Sequence, residues 1–516
     1  MHPALRILEV LDNISLYVGQ KSLPALASTC RAFENPALNV LWRNLESVEP
    51  IVKCLPSELF GTNRKFPVLQ KPLDHKMWDT LSRYTSRVHS ITQSRKSKFI
   101  ELLSLIILSY PSAPTSFFPN LRQLTWFTDA TTHDAAVFLR MALVPSLLSL
   151  TVQISPASPA FLSVFSSLGT LCPRLQCMTL DHGRSIDEPS SNLPFIMQPI
   201  SQLRHLRGLD IWGVGIQEIQ QIMLLGALQR LVLAMVSPSS AWDKPSPLQL
   251  PGFRNLRALT IKVNAFKRLM NFFSALTIVR TKKVTVRLTH PVTLPTHARV
   301  STMFSEFLAI LQERCDNNKL EFFTFTADIT TIPEITEFGF FTSLRAFRNL
   351  THLDIEWGSG ISMSDKELCY LTEAWPKLQV LRICCCFTVD LDTITVPTFH
   401  GLICLLRLCP ALTSLTLAID ATKLDGIDLK CPGGEHFTHH LKDLTLGNSI
   451  IDSPLNVALI LSGLFPHLEQ VNLDCWDTAL LLLTYHSTLA IEHWVSVNDF
   501  LRGFSVVRER PRHIVS

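Results

Sequence analysis

One apolar pattern, L-x-x-L-x-L with other apolar residues allowed, recurs through most of this 516-residue chain. Successive copies mostly begin roughly 30 residues apart, a period typical of stacked repeats. The copies are LRQLTW at Leu121, LLSLTV at Leu147, LQCMTL at Leu175, LRGLDI at Leu206, LQRLVL at Leu228, LRALTI at Leu256, LEFFTF at Leu320, LTHLDI at Leu350, LQVLRI at Leu378, LTSLTL at Leu412, LKDLTL at Leu441 and LEQVNL at Leu468, with a degenerate copy at KKVTVRL. Such regular recurrence favours an array over a single closed core.

Each copy predicts one short strand, because alternate side chains of a strand point to opposite faces and the fourth and sixth positions share the buried one. Helical patterns precede many copies, as in HGLICLLRLCPALTSLTL. Pro376, Pro410 and Pro466 follow three of these patterns and predict where the helices end, since proline cannot continue a helix. Helix and strand therefore alternate.

A single unit cannot bury its own apolar face, whereas stacked units share one core. The sequence therefore predicts an α/β fold, an irregular leucine-rich-repeat solenoid with parallel strands inside and helices outside, over residues 118–485. Residues 486–516 would form a C-terminal cap or tail. Asn or Cys stands eight positions after the first leucine in only two copies, at Asn264 and Cys386, so we expect uneven curvature. An ordinary α/β fold with leucine-rich strands is the alternative.

The first 46 residues do not follow the repeat and predict a small helical module. Their opening segment places Leu5, Leu8, Leu11, Ile14 and Val18 on one helical face. A second helix follows from Ser22, a typical cap residue, and a third follows Pro36, since proline is tolerated in the first helical turn. Three short helices bury little surface, so such a module needs a partner.

This module resembles the F-box family, whose motif runs from an acidic-apolar helix through a Cys-Arg-aromatic step to a Leu-Trp pair. EVLDNI, SLPALASTCRAF and ALNVLWRNL match that motif in order and spacing. Ile7 and Leu8 stand where the family usually has a Leu-Pro pair. The whole chain is similar to fungal, basidiomycete F-box proteins with weak leucine-rich repeats.

The resemblance implies a substrate-receptor subunit of a ubiquitin ligase, not an enzyme. The module would dock the Skp adaptor of a cullin-RING ligase, and the repeats would bind an unknown protein substrate. By match to the family pattern, the adaptor-binding residues would be Leu8, Val10, Leu11, Ile14, Leu23, Leu26, Ala27 and Cys30. Two alternatives remain: the module is a helical cap over the first repeat, and the protein is a repeat scaffold or inhibitor without a ligase connection.

Residues 47–117 join the module to the array and predict a packed helical junction. Trp78, Leu81, Tyr84 and Val88 lie at helical spacing, and SRVHSI is a possible cryptic first strand. A rigid junction would matter for a ligase, because group transfer requires restricted distance and orientation.

Residues flanking the buried leucines are the candidates for substrate contact, because they lie on the face of the strands that the helices leave open. Aromatic residues beside charges are typical of protein interfaces. The alternative is that the two tryptophans pack under loops. The candidates are Asp210, Trp212, His352, Asp354, Glu356, Trp357 and Arg382.

Composition restricts the partners. The formal net charge is only +4, with basic residues scattered, so nucleic acid is not expected. Neither a secretory leader nor an apolar run of about 20 residues is recognised, so a membrane is not expected either. Thirteen cysteines, an odd number, several within apolar repeats, indicate reduced thiols and a cytoplasmic or nuclear protein.

Motifs for catalysis, metals and cofactors are weak. GGEHFTHH at 433–440 lacks the H-E-x-x-H arrangement and is interpreted as a solvated loop. In CCC, Cys384 to Cys386, adjacent side chains point to opposite faces and cannot easily chelate one metal. GVGIQ lacks the third glycine of a dinucleotide site. We expect no catalytic residues, no metal and no cofactor.

Overall fold

The fold is described from a computed structural model. It describes residues 7–61, 68–93, 98–109, 116–127, 133–153, 159–181, 193–236, 240–245, 248–289, 300–327, 336–357, 361–385, 394–434, 437, 439–446, 449–473 and 485–509. The chain forms two compact units, the first ending at Leu231 and the second beginning at Val232.

The first unit begins with three helices and continues as alternating strands and helices. Its helices are α1 Leu8–Tyr17, α2 Leu23–Thr29, α3 Arg31–Arg43, α4 Glu49–Lys53, α5 His75–Thr85, α6 Lys98–Leu108, α7 His133–Ala142, α8 Pro159–Ser166, α9 Leu168–Leu171, α10 Leu193–Ser201 and α11 Ile216–Met223. Its strands are β1 Asn44–Leu45, β2 Phe60–Gly61, β3 Val68–Leu69, β4 Ser90–Gln93, β5 Gln123–Trp126, β6 Ser149–Gln153, β7 Cys177–Asp181 and β8 Gly208–Trp212; β9, Arg230–Met235, contains the boundary.

The second unit continues the alternation and ends in a long helix. Its strands are β10 Ala258–Val263, β11 Lys283–Leu288, β12 Phe322–Ala327, β13 Thr336–Glu337, β14 His352–Trp357, β15 Ile361–Ser362, β16 Val380–Cys385, β17 Ser414–Thr416 and β18 Asp443–Thr445. Its helices are α12 Phe266–Ala275, α13 Val300–Arg314, α14 Asp365–Thr372, α15 Phe399–Leu408, α16 Pro454–Leu464 and α17 Tyr485–Glu509. Short 3₁₀ helices occupy Gln20–Ser22, Ser57–Leu59, Ala241–Asp243 and Phe338–Ala346.

Within the described residues, fourteen strands form one sheet in the order β1-β4-β5-β6-β7-β8-β9-β10-β11-β12-β14-β16-β17-β18. Neighbouring strands are parallel, as in the ladder Lys283↔Phe322 to Leu288↔Ala327. Parallel neighbours need a crossover between them, which the helices and loops of each repeat provide. The predicted α/β leucine-rich-repeat fold is confirmed.

Alternation along the strands separates a buried face from an open one. In β6, Leu150 and Val152 are fully buried, whereas Thr151 between them is only partly covered. Burying one such aliphatic side chain contributes about 1.5–3 kcal/mol. The repeated leucines therefore hold the helices on one face of the strands, and the other face remains available.

Helix boundaries follow local signals. Helix α14 begins after Ser364, whose hydroxyl accepts from the Glu367 N–H, while the Glu367 carboxylate accepts from the Ser364 N–H at 2.7 Å. This reciprocal pair satisfies donors that a helix start leaves unpaired. Helices α14, α15 and α16 each end shortly before Pro376, Pro410 or Pro466, as the sequence predicts.

The last predicted strand is not formed. Residues 468–473 carry the copy LEQVNL but are not a strand. One ladder-like bond remains, from the Asn472 N–H to the Leu444 carbonyl at 2.7 Å. The side chain of Asn498 in α17 takes the place of a further strand: its Oδ1 accepts from the Val471 N–H at 2.7 Å and its Nδ2 donates to the Val471 carbonyl at 3.0 Å.

One pair of cysteines differs from the expectation that the thiols are reduced. Cys369 of α14 and Cys404 of α15 form a disulfide, because these neighbouring helices bring the two side chains together. Cys172, Cys315 and Cys409 are buried free thiols. Burial raises the pKa of Cys172 and of Cys409 to about 12.

Candidate functional site

The N-terminal module consists of α1 and α2 packed on α3. Two of the eight predicted adaptor-binding residues face the module's own interior, with Leu11 4% and Leu23 1% exposed. Leu8 is 59% exposed. The other five predicted positions are partly covered: Val10, Ile14, Leu26, Ala27 and Cys30.

Helix α1 carries further exposed apolar side chains that the motif comparison misses. Leu16 is 52% exposed and Tyr17 is 92% exposed, and Ile7 before the helix is 50% exposed. The sequence pattern already indicates that these side chains are exposed, because they lie outside the buried face of the helix. We call Ile7, Leu8, Leu16 and Tyr17 the α1 apolar set.

The module is fixed to the rest of the first unit through α3. Trp42 stacks on Tyr84 of α5, with ring centroids 4.5 Å apart. Nη2 of Arg87 donates to Oδ1 of Asn35 at 2.8 Å, and Nη1 donates to Oδ1 of Asn39. The chain then passes directly from α3 into β1, which pairs with β4. These contacts hold α3 in place and leave the outer surfaces of α1 and α2 uncovered.

The open face of the second unit's sheet collects most of the predicted substrate-contact residues. The register places Asp354 between Thr324 on β12 and Arg382 on β16. His352 and Asp354 are partly covered, whereas Glu356 and Arg382 are exposed. The side chain of Trp357 lies outside the described residues.

Neighbouring strands add residues that the sequence did not single out. Phe322 of β12 stacks on His352, with ring centroids 4.3 Å apart. Lys262 of β10 and the exposed Lys283 and Arg287 of β11 lie on the same face by register. The repeat pattern marks such positions as outward, but only the ladder identifies their cross-strand neighbours.

The surroundings of Asp354 and His352 on this face disfavour the charged form of each side chain. Burial raises the pKa of Asp354, and the cations Arg382 and Lys283 only partly offset that rise. Burial and the nearby Lys283 lower the pKa of His352. The imidazole Nδ1 of His352 is also within 2.9 Å of the Thr351 hydroxyl. The face therefore presents a polar aromatic centre beside fixed positive charge.

In the first unit, Asp210 and Trp212 lie on β8 and are partly covered. Asp210 lies in a cross-strand row with four threonines at the same repeat position: Thr92, Thr125, Thr151 and Thr179. β-branched threonine suits a strand. This part of the row is mainly a strand-forming feature, and Asp210 is its charged member.

The structure describes only part of the histidine and cysteine motifs that the sequence analysis did not assign to a metal site. His439 is buried, with Nε2 3.3 Å from the Cys409 carbonyl, so the interpretation of GGEHFTHH as a solvated loop is wrong at this residue. Glu435, His436 and Cys386 lie outside the described residues. Within the described ranges, no group of three or more His, Cys, Asp or Glu is placed to hold a metal ion.

No helix in the described part of the chain has both the length and the apolar character needed to cross a bilayer. No protein-family model and no curated protein matches the sequence.

Solved structures of other proteins resemble this chain in part, among them two from bacteria. One is an internalin from Listeria monocytogenes, with 13% identity, coverage of 86% of this chain and 92% of that chain, and a TM-score of 0.32. The other is a Bacteroides fragilis protein from a structural genomics programme, with 12% identity, coverage of 46% of this chain and a TM-score of 0.30. The present chain spans 64% of the length of that protein.

Proposed function

We propose that this protein is a non-catalytic substrate receptor of a Skp-cullin-F-box ubiquitin ligase, acting in the cytoplasm or nucleus. The α1–α3 module would dock the Skp adaptor, and the open sheet face would bind a protein substrate. The observation that carries the proposal is the α1 apolar set, which stays exposed although α3 is fixed firmly to α5 and the sheet.

Exposure of these side chains supports a protein partner. Leu8, Leu16 and Tyr17 are each more than half exposed on one short helix. Exposed apolar side chains on a helix that is fixed to the fold are available for contact with another protein, although single ones are common on protein surfaces. The partner named here, the Skp adaptor, comes from the F-box resemblance of the same residues.

The substrate surface is supported by the mixture of groups on the second unit's open face. A stacked Phe322–His352 pair lies beside Asp354 and the cations Lys283 and Arg382. Aromatic residues and arginine are enriched where proteins bind proteins. We propose that a protein cargo with acidic and apolar side chains binds there.

The test replaces one exposed residue of the module. In purified full-length protein, Leu8→Glu should weaken binding to the purified Skp adaptor at least tenfold, because it places a charge in an apolar contact. Leu23 is unsuitable, because it is 1% exposed and its replacement would unfold the module. Isothermal titration calorimetry with the adaptor measures the change.

Leu224→Glu is the matched control. Leu224 is 77% exposed just after α11, away from the module, so the same substitution should leave adaptor binding unchanged. Equal binding by wild type and Leu8→Glu would contradict docking through α1.

A second candidate is a repeat scaffold or inhibitor without a ligase connection. The burial of Leu11 and Leu23, together with the Trp42–Tyr84 stack, favours it, because an end cap of a repeat array needs only these inward contacts. A folded full-length protein that does not bind the adaptor would support this candidate.

A further inference from the structure

A hollow of about 710 Å³ in the first unit lies beside the module and is lined largely by cations. It is bordered by α1, α3, the C-terminal end of α5 with the turn that leads to β4, and the segment before β5. Its charged and titratable lining consists of Arg43, Arg83, Arg87, His89, Arg122 and Asp12. Four arginines from three segments of the chain thus line one concave surface, with Arg83 and Arg87 both near the end of α5.

These positive charges are not neutralised by carboxylates. Within the described residues, none of the four arginines forms an ion pair. Arg87 is instead oriented by the neutral amide oxygens of Asn35 and Asn39. Asp12 is the one carboxylate in the lining, and Glu34 acts on Arg87 only through longer-range attraction. A net positive charge remains.

Burial and the crowding of like charges disfavour the protonated forms of two groups. Burial, followed by repulsion from Arg83, lowers the pKa of Arg87. Burial, followed by repulsion from Arg122 and Arg43, lowers the pKa of His89. An anion placed among these groups would relieve the repulsion, since opposite charges favour the charged forms.

A hollow of similar size in the second unit shows the opposite arrangement. It measures about 760 Å³ and includes Arg345, which pairs with Glu373 at 3.6 Å and lies 3.4 Å from the ring centroid of Tyr370. Of the two arginines in its lining, Arg345 and Arg348, the first already has both a counter-ion and an aromatic partner. The concave shape alone therefore does not explain the uncompensated charge of the first hollow.

We propose that the hollow bordered by Arg43, Arg83, Arg87 and Arg122 binds a small anion carrying several phosphate groups. Its volume is that of a small-molecule site. One guanidinium group can donate two parallel hydrogen bonds to the oxygens of one phosphate. Four such groups are therefore enough to bind more than one phosphate. Leu16 and Val40 are the two apolar residues of the lining, fewer than its arginines.

The experiment titrates the full-length protein with sodium tripolyphosphate by isothermal titration calorimetry. Wild type should bind with one saturable site, and Arg83→Gln/Arg122→Gln should weaken the affinity at least tenfold. These two side chains are exposed and make no side-chain hydrogen bond among the described residues, so their replacement should not disturb the fold, which circular dichroism checks.

The matched control, Arg254→Gln/Arg257→Gln, removes the same charge from two exposed positions of the second unit and should keep wild-type affinity. Absence of saturable binding, or an equal loss in both double variants, would overturn the proposal. So would tighter binding of a polyglutamate peptide than of tripolyphosphate, which would assign the hollow to an acidic protein segment.

The source of the phosphate groups is tested with phosphatidylcholine vesicles carrying phosphatidylinositol bisphosphate. Binding of tripolyphosphate without binding of vesicles supports a free ligand, whereas vesicle binding that Arg83→Gln/Arg122→Gln abolishes supports a lipid headgroup. Leu8→Glu should retain tripolyphosphate binding in either case, which keeps this proposal separate from adaptor docking.

Discussion

At the scale of single residues, two aspartates show how position decides ionisation. Asp243 is partly buried, which raises its pKa, but hydrogen bonds from Arg268 at 2.6 Å and from the Ser240 N–H outweigh that effect and lower it. Among the described residues, the Asp354 side chain makes no hydrogen bond, and burial raises its pKa despite Arg382. The first carboxylate therefore stabilises the native fold, whereas the second costs stability where it is ionised.

Replacing Asp354 by asparagine should therefore stabilise the protein at neutral pH. A carboxyl whose pKa is raised on folding keeps its proton longer in the folded state, so its contribution to stability is lost as pH rises through the folded pKa. Asp354→Asn should raise the free energy of unfolding at pH 7 by up to about 1 kcal/mol, a difference that shrinks towards pH 4. Urea unfolding at both pH values measures it.

Asp443→Asn is the control, because Asp443 is exposed on the same sheet face and should change stability little at either pH. A loss of stability in Asp354→Asn at pH 7 would show that the carboxylate is stabilising. A gain would indicate that Asp354 is kept for binding at the expense of stability.

At the scale of elements, the end of the sheet is closed by a helix. A parallel strand bonds alternately to each side, so Asn472 bonds back to Leu444 while Val471 faces the free edge. Asn498 satisfies both backbone groups of Val471, and Trp494 Nε1 donates to the Ser449 carbonyl at 3.0 Å. Helix α17 thereby covers an edge that would otherwise be free to pair with another chain.

Asn498→Leu should destabilise the protein by about 2 kcal/mol, because both backbone groups of Val471 become buried without partners. Weaker attachment of α17 should uncover the sheet edge more often, so self-association should also increase. Urea unfolding and size-exclusion chromatography at several protein concentrations measure the two effects. Asp499→Leu changes the neighbouring exposed residue of α17 and should cost much less; equal losses in both variants would contradict the role of Asn498.

At the scale of the whole molecule, the chain assigns different chemistry to different surfaces. The module exposes aliphatic and aromatic side chains, the sheet face of the second unit exposes charges and a stacked histidine, and the hollow of the first unit gathers arginines. Surfaces of such different character suit different partners. The receptor function proposed above would use two such surfaces, one for an adaptor and one for a cargo.

Arg382→Gln should therefore separate cargo binding from adaptor binding. In affinity purification from cells with degradation inhibited, this variant should retain the wild-type amount of Skp adaptor and lose cargo that wild type retains, because Arg382 is exposed on the open sheet face. Quantitative mass spectrometry measures both. Arg502→Gln, which removes an exposed charge on α17, should behave as wild type. Parallel loss of the adaptor in Arg382→Gln would contradict the separation.

Most of the strands could be predicted from the sequence, because each needs only a local pattern of buried leucines. Leu350, Leu353 and Ile355 illustrate this, since all three are fully buried. The exception at Leu468 depends on Asn498, thirty positions later and on a different element. A local pattern shows which side chains are apolar and favour burial, but it does not show which neighbouring element will cover them.

The candidate sites were less predictable for the same reason. The F-box motif predicts adaptor contact for both Leu8 and Leu23. Helix packing nevertheless leaves Leu8 59% exposed and Leu23 only 1% exposed. Arg43, the pair Arg83 and Arg87, and Arg122 are far apart in the sequence and meet only after α3, α5 and the segment before β5 pack together.

The sequence by itself determined the repeat, the order of helices and strands, and which face of each strand is buried, because period and side-chain polarity act over a few residues. Tertiary structure alone decided which apolar side chains of the module stay exposed, which charges become cross-strand neighbours and where cations converge. Those outcomes depend on contacts between segments far apart in the chain, and their energies arise only when the elements pack.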